Sequence, residues 1–166
     1  MESSQRKAKI KTAATVGRLK FLIRNFFLSS FCFLAASIIL FARKSAVCIT
    51  VGVISDIVGL GAAFLWIRFA AMLNSVKRDW EKYEFAHTRS AYFECFGPFL
   101  ALNVTFSDKA GNVREGRTRF IFSPRDVEPW QGVPLEIGYV GEDERVILLS
   151  AAPVPMFEKN SEKDEK

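Results

Sequence analysis

The sequence predicts an α+β membrane protein with a two-helix transmembrane hairpin, a cytoplasmic helical extension, and a small five-stranded β barrel or bent antiparallel sheet. Two long apolar runs, residues 26–42 and 47–67, are separated by only four residues. From residue 91 onward, short stretches rich in aromatic and β-branched side chains replace these runs, as is typical of strands. A chain of 166 residues has room for one small soluble domain beside the hairpin.

Residues 1–18 are predicted to form a basic N-terminal arm. Residues 1–25 contain seven lysines and arginines against a single glutamate. Anionic lipid headgroups would attract this charge, with the arm either helical on the membrane surface or disordered. Because these basic residues have no folded surface of their own, the high isoelectric point does not indicate nucleic-acid binding.

The two transmembrane helices are predicted over residues 19–42 and 47–67, joined by a short link at residues 43–46. The second run spans about 31 Å as a helix, which matches the roughly 30 Å hydrocarbon core of a bilayer. The first run is shorter, and the apolar residues just before it lengthen it enough to cross.

The charges on either side of the hairpin predict its orientation. Residues 1–25 carry seven basic side chains and residues 68–90 carry five, whereas the link carries two, Arg43 and Lys44. By the positive-inside rule both termini are then cytoplasmic, in what we expect to be a bacterial inner membrane. Two basic residues directly after the first run also disfavour a cleaved signal peptide, which requires small residues there.

Small residues predict the faces along which the two helices pack. Lipid provides no hydrophobic force between helices, so close approach of their backbones becomes the main source of packing energy. One stripe of small residues occurs on each helix. The predicted helix-packing positions are Ser29, Cys32 and Ala36 in the first helix and Gly52, Ser55, Gly59 and Ala63 in the second.

Asp56 is a carboxylate close to the middle of the second apolar run. An ionised carboxylate at that depth costs at least about 2.5–3.5 kcal/mol, so its position requires a compensating interaction. Three interpretations remain open: a hydrogen bond to serine hydroxyls of the first helix, a polar or basic group on a partner membrane protein, or a place on a proton or cation path. Antiparallel pairing about the link brings Ser29, Ser30 and Ser37 within about one turn of Asp56.

Residues 68–90 are predicted to continue the second helix as a cytoplasmic stalk that ends near residue 89. No proline or glycine interrupts residues 62–96, and apolar or aromatic residues recur there at alternating steps of three and four. This pattern suits packing on the β domain, self-association, or an interfacial helix anchored by its aromatic residues. The stalk seam consists of Leu73, Val76, Trp80, Tyr83 and His87.

A small β domain is predicted over residues 91–157. Turn sequences such as Gly97-Pro98 divide it into short strands, and so many strands in so few residues favour a small barrel or a strongly bent sheet. Residues 158–166 alternate charges without an apolar residue, and we expect them to be disordered. The predicted strands are residues 91–96, 99–106, 113–122, 133–140 and 145–151.

Few residues in the chain suit catalysis or metal binding. His87 is the only histidine, and the three cysteines are too widely spaced for a disulfide framework or a metal motif. The sequence contains no recognisable nucleophile–histidine–carboxylate set and no phosphate-binding glycine loop. We therefore expect a protein that is not an enzyme and that uses no cofactor and no metal.

A pattern of two strands joined by an acidic turn occupies residues 130–149. Its positions are Gly132, Pro134, Leu135, Ile137, Tyr139, the turn at 141–144 and the apolar strand at 146–149. The segment resembles the end of an uncharacterised bacterial family of membrane proteins with a small β domain. It departs from the family pattern after the tyrosine, because Val140 and Gly141 replace the Asp-Pro that the family has there. The resemblance implies a fold, and it implies no activity and no catalytic residue.

These observations predict a non-enzymatic two-pass membrane protein that presents a small cytoplasmic β domain and acts as an accessory subunit or scaffold of a membrane complex. The alternative is a transport-linked component that uses Asp56 as an intramembrane proton or cation site. A third possibility is a sensor whose β domain binds a soluble ligand. The expected partners are membrane lipids and either another membrane protein or further copies of this chain, without nucleic acid.

Overall fold

The chain folds into two compact units in a computed structural model, which describes residues 3–123, 126, 134–141 and 143–150. The hairpin unit is Val16–Arg78. The sheet unit combines Met1–Thr15 with Asp79–Lys166, so the start of the chain belongs to the same unit as the β strands.

Three helices occupy the first half of the chain: α1 is Ser3–Thr12, α2 is Ala14–Ala42, and α3 is Ala46–Arg78. The 29 residues of α2 and the 33 residues of α3 correspond to about 43 Å and 50 Å. Both helices are long and apolar enough to cross a membrane, as predicted. Between them the chain reverses within three residues, and Lys44 takes the left-handed conformation (φ 53°) that this tight turn requires.

A five-stranded antiparallel sheet follows one 3₁₀ turn, Trp80–Lys82. The strand order is β3-β2-β1-β4-β5, and in the described part of the chain the sheet is not closed into a barrel. Among the residues that the structure describes, one bridge, between Arg117 and Arg145, joins its two edges. The strands are β1 (Glu84–Phe96), β2 (Phe99–Ser107), β3 (Val113–Arg117), β4 (Glu136–Tyr139) and β5 (Ile147–Leu148).

The long strand β1 joins the two halves of the sheet. Its first residues, Glu84 to His87, pair with β4, and the residues from Thr88 onward pair with β2. The register shifts between Thr88 and Ser90, as in a β-bulge, which bends a strand and re-aims its side chains. Alternate residues of β2 are buried on one face of the sheet. They form the core together with residues of β4, β5 and the segment before Ser123.

The predicted stalk is wrong beyond residue 78. Leu73 and Val76 are buried on α3, but Trp80 lies in the 3₁₀ turn, Tyr83 is buried just before the sheet, and His87 is exposed on β1. Residues 84–87 pair with β4, which lies about fifty positions later in the chain. Such tertiary pairing outweighs local helix propensity, and the absence of proline and glycine therefore did not predict a continuous helix.

The N-terminal arm is an ordered helix rather than a free basic segment. Lys9 forms an ion pair with Glu136 of β4, and Arg6 donates a hydrogen bond of 2.7 Å to the carbonyl oxygen of Glu81. Ile10 is only 3% exposed. Four of the basic charges predicted to attract lipid lie in α1, and two of them, on Arg6 and Lys9, instead hold α1 against the rest of the sheet unit.

The strand boundaries in the structure differ by several residues from the predicted ones. β1 begins seven residues before the predicted start of the β domain, and β3 ends at Arg117 instead of residue 122. The backbone of Phe122 still pairs with Leu100, with an N···O distance of 2.8 Å from Leu100 to Phe122. The predicted strand ends at residues 133 and 151, Gly132 of the resemblance, and the charged tail lie outside the described residues.

Candidate functional site

Two glycines on α3 permit close approach to α2. A Cβ atom added to Gly59 would lie 3.1 Å from Cγ of Leu34, and one added to Gly52 would lie 3.2 Å from Cε1 of Phe41. Both distances are shorter than ordinary van der Waals contact. The two helices therefore pack closely at Gly52 and Gly59, where glycine presents bare backbone.

Three of the other predicted packing positions lie one residue from a buried small residue. On α3, Ser55 and Ala63 are half-buried, and Ala62, next to Ala63, is buried. On α2, Ser30 and Ser37 are buried, each directly after a predicted position. Ser29 and Ala36 are half-buried, and Cys32 is exposed. Ser30 and Ser37 are seven residues apart, which is the spacing of one packing face and was the signal that could have found them.

Aromatic contacts also join the two helices, and the sequence pattern did not predict them. The ring centroids of Phe26 and Phe69 are 5.6 Å apart, and those of Phe27 and Trp66 are 5.4 Å apart. Both pairs are tilted, in the range where aromatic rings attract each other. They lie toward the end of the hairpin where the chain enters and leaves it.

The buried side chains change in size along the hairpin unit. Towards the link they are small, and Gly52, Gly59 and Ala62 are examples. Towards the other end they are large, and Phe69, Leu73 and Val76 are at most 8% exposed. The basic side chains of the unit outside the link also concentrate at this second end. They are Arg18, Lys20, Arg24, Arg68, Lys77 and Arg78.

Asp56 is half-buried on α3, between the two packed glycines. The Ser37 hydroxyl donates a hydrogen bond of 2.8 Å to the carbonyl oxygen of Leu34, one turn earlier on its own helix. No hydrogen bond or ion pair connects Asp56 with another residue in the described part of the chain. The carboxyl group therefore lies at the edge of the packed face without the serine contact considered above.

A polar cleft of about 330 Å³ lies on the face of the sheet opposite the core. Glu94 of β1 binds Arg117 of β3 at 2.6 Å and accepts a hydrogen bond of 3.0 Å from the Asn103 amide of β2. The Arg117 guanidinium also lies 4.5 Å from the ring centroid of Phe120. Alternation places these side chains on one face of three neighbouring strands, and their mutual pairing stabilises the sheet.

Tyr139 of β4 stabilises the turn between β2 and β3 through hydrogen bonds. Its hydroxyl donates to Glu84 at 2.8 Å and accepts from the backbone N–H of Lys109 at 3.2 Å, while Lys109 Nζ binds Glu84 at 2.6 Å. The hydrogen bond from Lys109 and then the one from Tyr139 lower the pKa of Glu84, and burial and then the bond to Glu84 raise the pKa of Tyr139. Tyr139, which the resemblance identified, thus has a structural role.

Within residues 3–123, 126, 134–141 and 143–150, no three His, Cys, Asp or Glu side chains are placed to hold a metal ion. Cys32, Cys48 and Cys95 are all free thiols. Comparison with protein-family models, with curated proteins and with solved structures gives no match. The resemblance stays a prediction.

Proposed function

We propose that this chain is a non-enzymatic two-pass membrane protein that presents the sheet unit in the cytoplasm and serves as an accessory subunit or scaffold of a membrane complex. The observation that carries the proposal is the surface of the hairpin unit. Large apolar side chains cover it, and Phe31, Ile38 and Ile57 are 66%, 70% and 66% exposed. Burying each such side chain is worth about 1.5–3 kcal/mol, which lipid supplies and water does not.

The change in packing along the hairpin supports a boundary between lipid and water. Helices in lipid associate through small residues, because lipid tails are as apolar as the side chains themselves. Helices in water associate through large apolar residues, because burial removes them from water. The small buried residues near the link suit a bilayer, and the large buried residues near the basic end suit the aqueous side. Basic residues at that same end favour the cytoplasm.

The pairing of side chains in the sheet unit supports the proposed scaffold role. Its polar side chains pair mainly with one another, as in the Glu94–Arg117 and Glu84–Lys109 ion pairs. Such pairing stabilises a surface without positioning a reactive group. A small folded unit attached to a membrane hairpin is available for contact with another protein.

Thiol labelling in sealed vesicles of known orientation tests the membrane topology. A variant that keeps only Cys95 reports on the sheet unit, and a variant that carries only Ser45→Cys reports on the link. We expect a membrane-impermeant maleimide to label these two positions from opposite sides. Cys32, on the exposed surface of α2, should resist the reagent from both sides until detergent is added. Labelling of all three positions from one side would contradict the hairpin topology.

Purification in mild detergent tests the scaffold role. The chain has a mass of 18.7 kDa, and we expect it to elute as a complex with a defined, larger protein mass after the detergent contribution is subtracted. Mass spectrometry of crosslinked membranes would identify the partner, and the isolated membrane fraction of cells lacking the chain is the control. A strictly monomeric protein without crosslinked partners would contradict the scaffold role.

A further inference from the structure

We propose that the flank of α3 around Asp56 docks a membrane-spanning helix of a partner protein that carries a lysine or arginine at the same depth. This inference rests on the proposed two-pass topology and names the chemistry of the partner. The Asp56 flank is one stripe of α3 with steps of four and three residues, so its members lie on one face. It consists of Ile49, Val53, Asp56, Leu60 and Ala63.

The Asp56 flank is open to a partner. Val53 and Leu60 are 46% and 62% exposed, and Asp56 itself is half-buried. Gly52 and Gly59, which pack against α2, lie beside this stripe and hold its backbone in place. A second helix could therefore contact the flank without displacing α2.

The hairpin unit provides no cation for this carboxylate. The basic residues nearest to Asp56 along α3 are Lys44, just before the helix, and Arg68, each twelve positions away. Twelve residues of helix span about 18 Å, which exceeds the reach of either side chain to mid-bilayer. An ionisable group in the membrane normally pairs with another group or faces a cavity, and two helices enclose no cavity.

A second copy of this chain supplies no better complement. Copies inserted with the same orientation bring equal depths together, so the flank of one copy would meet Asp56 of another copy, or its Ala36 and Ser37, which the glycine contacts place level with Asp56. None of these side chains carries a positive charge. Charge complementarity therefore favours a different protein, whose transmembrane helix has a basic side chain near mid-bilayer.

A synthetic transmembrane helix tests the proposal with the full-length protein. The probe is a leucine- and alanine-rich peptide with one central lysine, and its control has leucine at that position. The protein is labelled at Cys95 after Cys32→Ala and Cys48→Ala, and energy transfer to the labelled peptide is measured in vesicles of uncharged phosphatidylcholine. We expect half-maximal transfer at an about tenfold lower peptide-to-lipid ratio for the lysine peptide than for the leucine peptide.

Two variants distinguish binding at the Asp56 flank from a nonspecific attraction between the lysine peptide and any carboxylate at that depth. Asp56→Leu is expected to abolish the preference for the lysine peptide. A double variant, Asp56→Leu with Ile57→Asp, keeps a carboxylate at the same depth but moves it off the flank, and it should not restore the preference. Equal binding of both peptides to the natural protein, or full restoration by the double variant, would overturn the proposal.

Two further measurements, of self-association and of topology, also test the proposal. Energy transfer between two labelled copies of the protein that requires Asp56 would identify a second copy as the occupant and overturn the proposed partner. Thiol labelling of the unlabelled Cys95 variant and of the Ser45→Cys variant, in vesicles of the same composition, distinguishes the failure of the Asp56 proposal from the failure of the topology. If the link and the sheet unit label from opposite sides and the peptides bind equally, only the Asp56 proposal fails. If that labelling pattern is absent, the two-pass topology fails with it.

Discussion

Replacing Gly59 by leucine is expected to force α2 and α3 apart and to destabilise the hairpin unit by about 1–3 kcal/mol, the usual cost of overpacking. An added Cβ already lies 3.1 Å from Cγ and 3.2 Å from Cδ2 of Leu34, and 3.3 Å from Cβ of Phe33. The rest of a leucine side chain has no space between these atoms. In lipid no hydrophobic force offsets the lost contact, since a separated helix exposes its apolar face to equally apolar tails.

Gly61→Leu is the matched control for Gly59→Leu. It introduces the same side chain two residues later on the same helix, where nothing lies within 4 Å of an added Cβ. Both changes replace glycine with a better helix former, so any gain in helix propensity is common to both. Only the contact with α2 differs between them.

Heating the two variants in mild detergent measures the difference. We expect the temperature at which half of the full-length protein leaves solution to fall for Gly59→Leu and to stay equal or rise for Gly61→Leu. Helical circular dichroism before heating should be similar in both, because each helix persists when their contact weakens. Equal melting of the two variants would show that close packing at Gly59 does not hold the hairpin together.

The sequence predicted the hairpin well because its determinants are local. Two apolar runs, a four-residue link and the recurrence of glycine on α3 are visible without knowledge of any distant residue. The precise face of α2 was harder, because a helical stripe and its neighbour differ by one position. Ser30 and Ser37 are buried, whereas Cys32, which belonged to the predicted stripe, is exposed.

The sheet unit was less predictable because distant residues determine it. Residues 84–87 have no local signal that ends the preceding helix, and they become a strand because β4 pairs with them. Likewise α1 has a thin apolar face, and Lys9 orders it through Glu136, which is 127 positions away. The predicted five strands were therefore correct in number, while their boundaries and the place of α1 depended on tertiary contacts.

The glycine at position 116 was a signal in the sequence that the strand prediction did not use. A glycine inside a strand often marks the close approach of another backbone. Here the segment from Glu144 to Val146 passes over Gly116 and pairs with Arg117. The Arg117 N–H donates to the Glu144 carbonyl at 2.6 Å, and the Val146 N–H donates to the Arg117 carbonyl at 3.0 Å. This contact is what brings the two edges of the sheet together.

Gly116→Val is expected to break that contact and to destabilise the sheet unit. An added Cβ would lie 2.5 Å from Cγ1 of Val146 and 3.2 Å from the Glu144 carbonyl oxygen, so the passing segment must move. Overpacking costs about 1–3 kcal/mol. The two hydrogen bonds at Arg117 contribute about 1 kcal/mol each, so the total loss is about 3–5 kcal/mol if both are lost. Gly116→Ala should have a smaller effect of the same kind.

Hydrogen exchange of the full-length protein in detergent measures this effect locally. We expect the amides of Arg117 and Val146 to lose protection in Gly116→Val, since both donate hydrogen bonds across the contact, while the amides of α3 stay protected. Glu115→Val is the matched control, because it places the same side chain one residue earlier, on the exposed face of β3. It should leave both amides protected. Unchanged protection in Gly116→Val would mean that the segment from Glu144 to Val146 accommodates the side chain, and that the edges of the sheet are held together by other contacts.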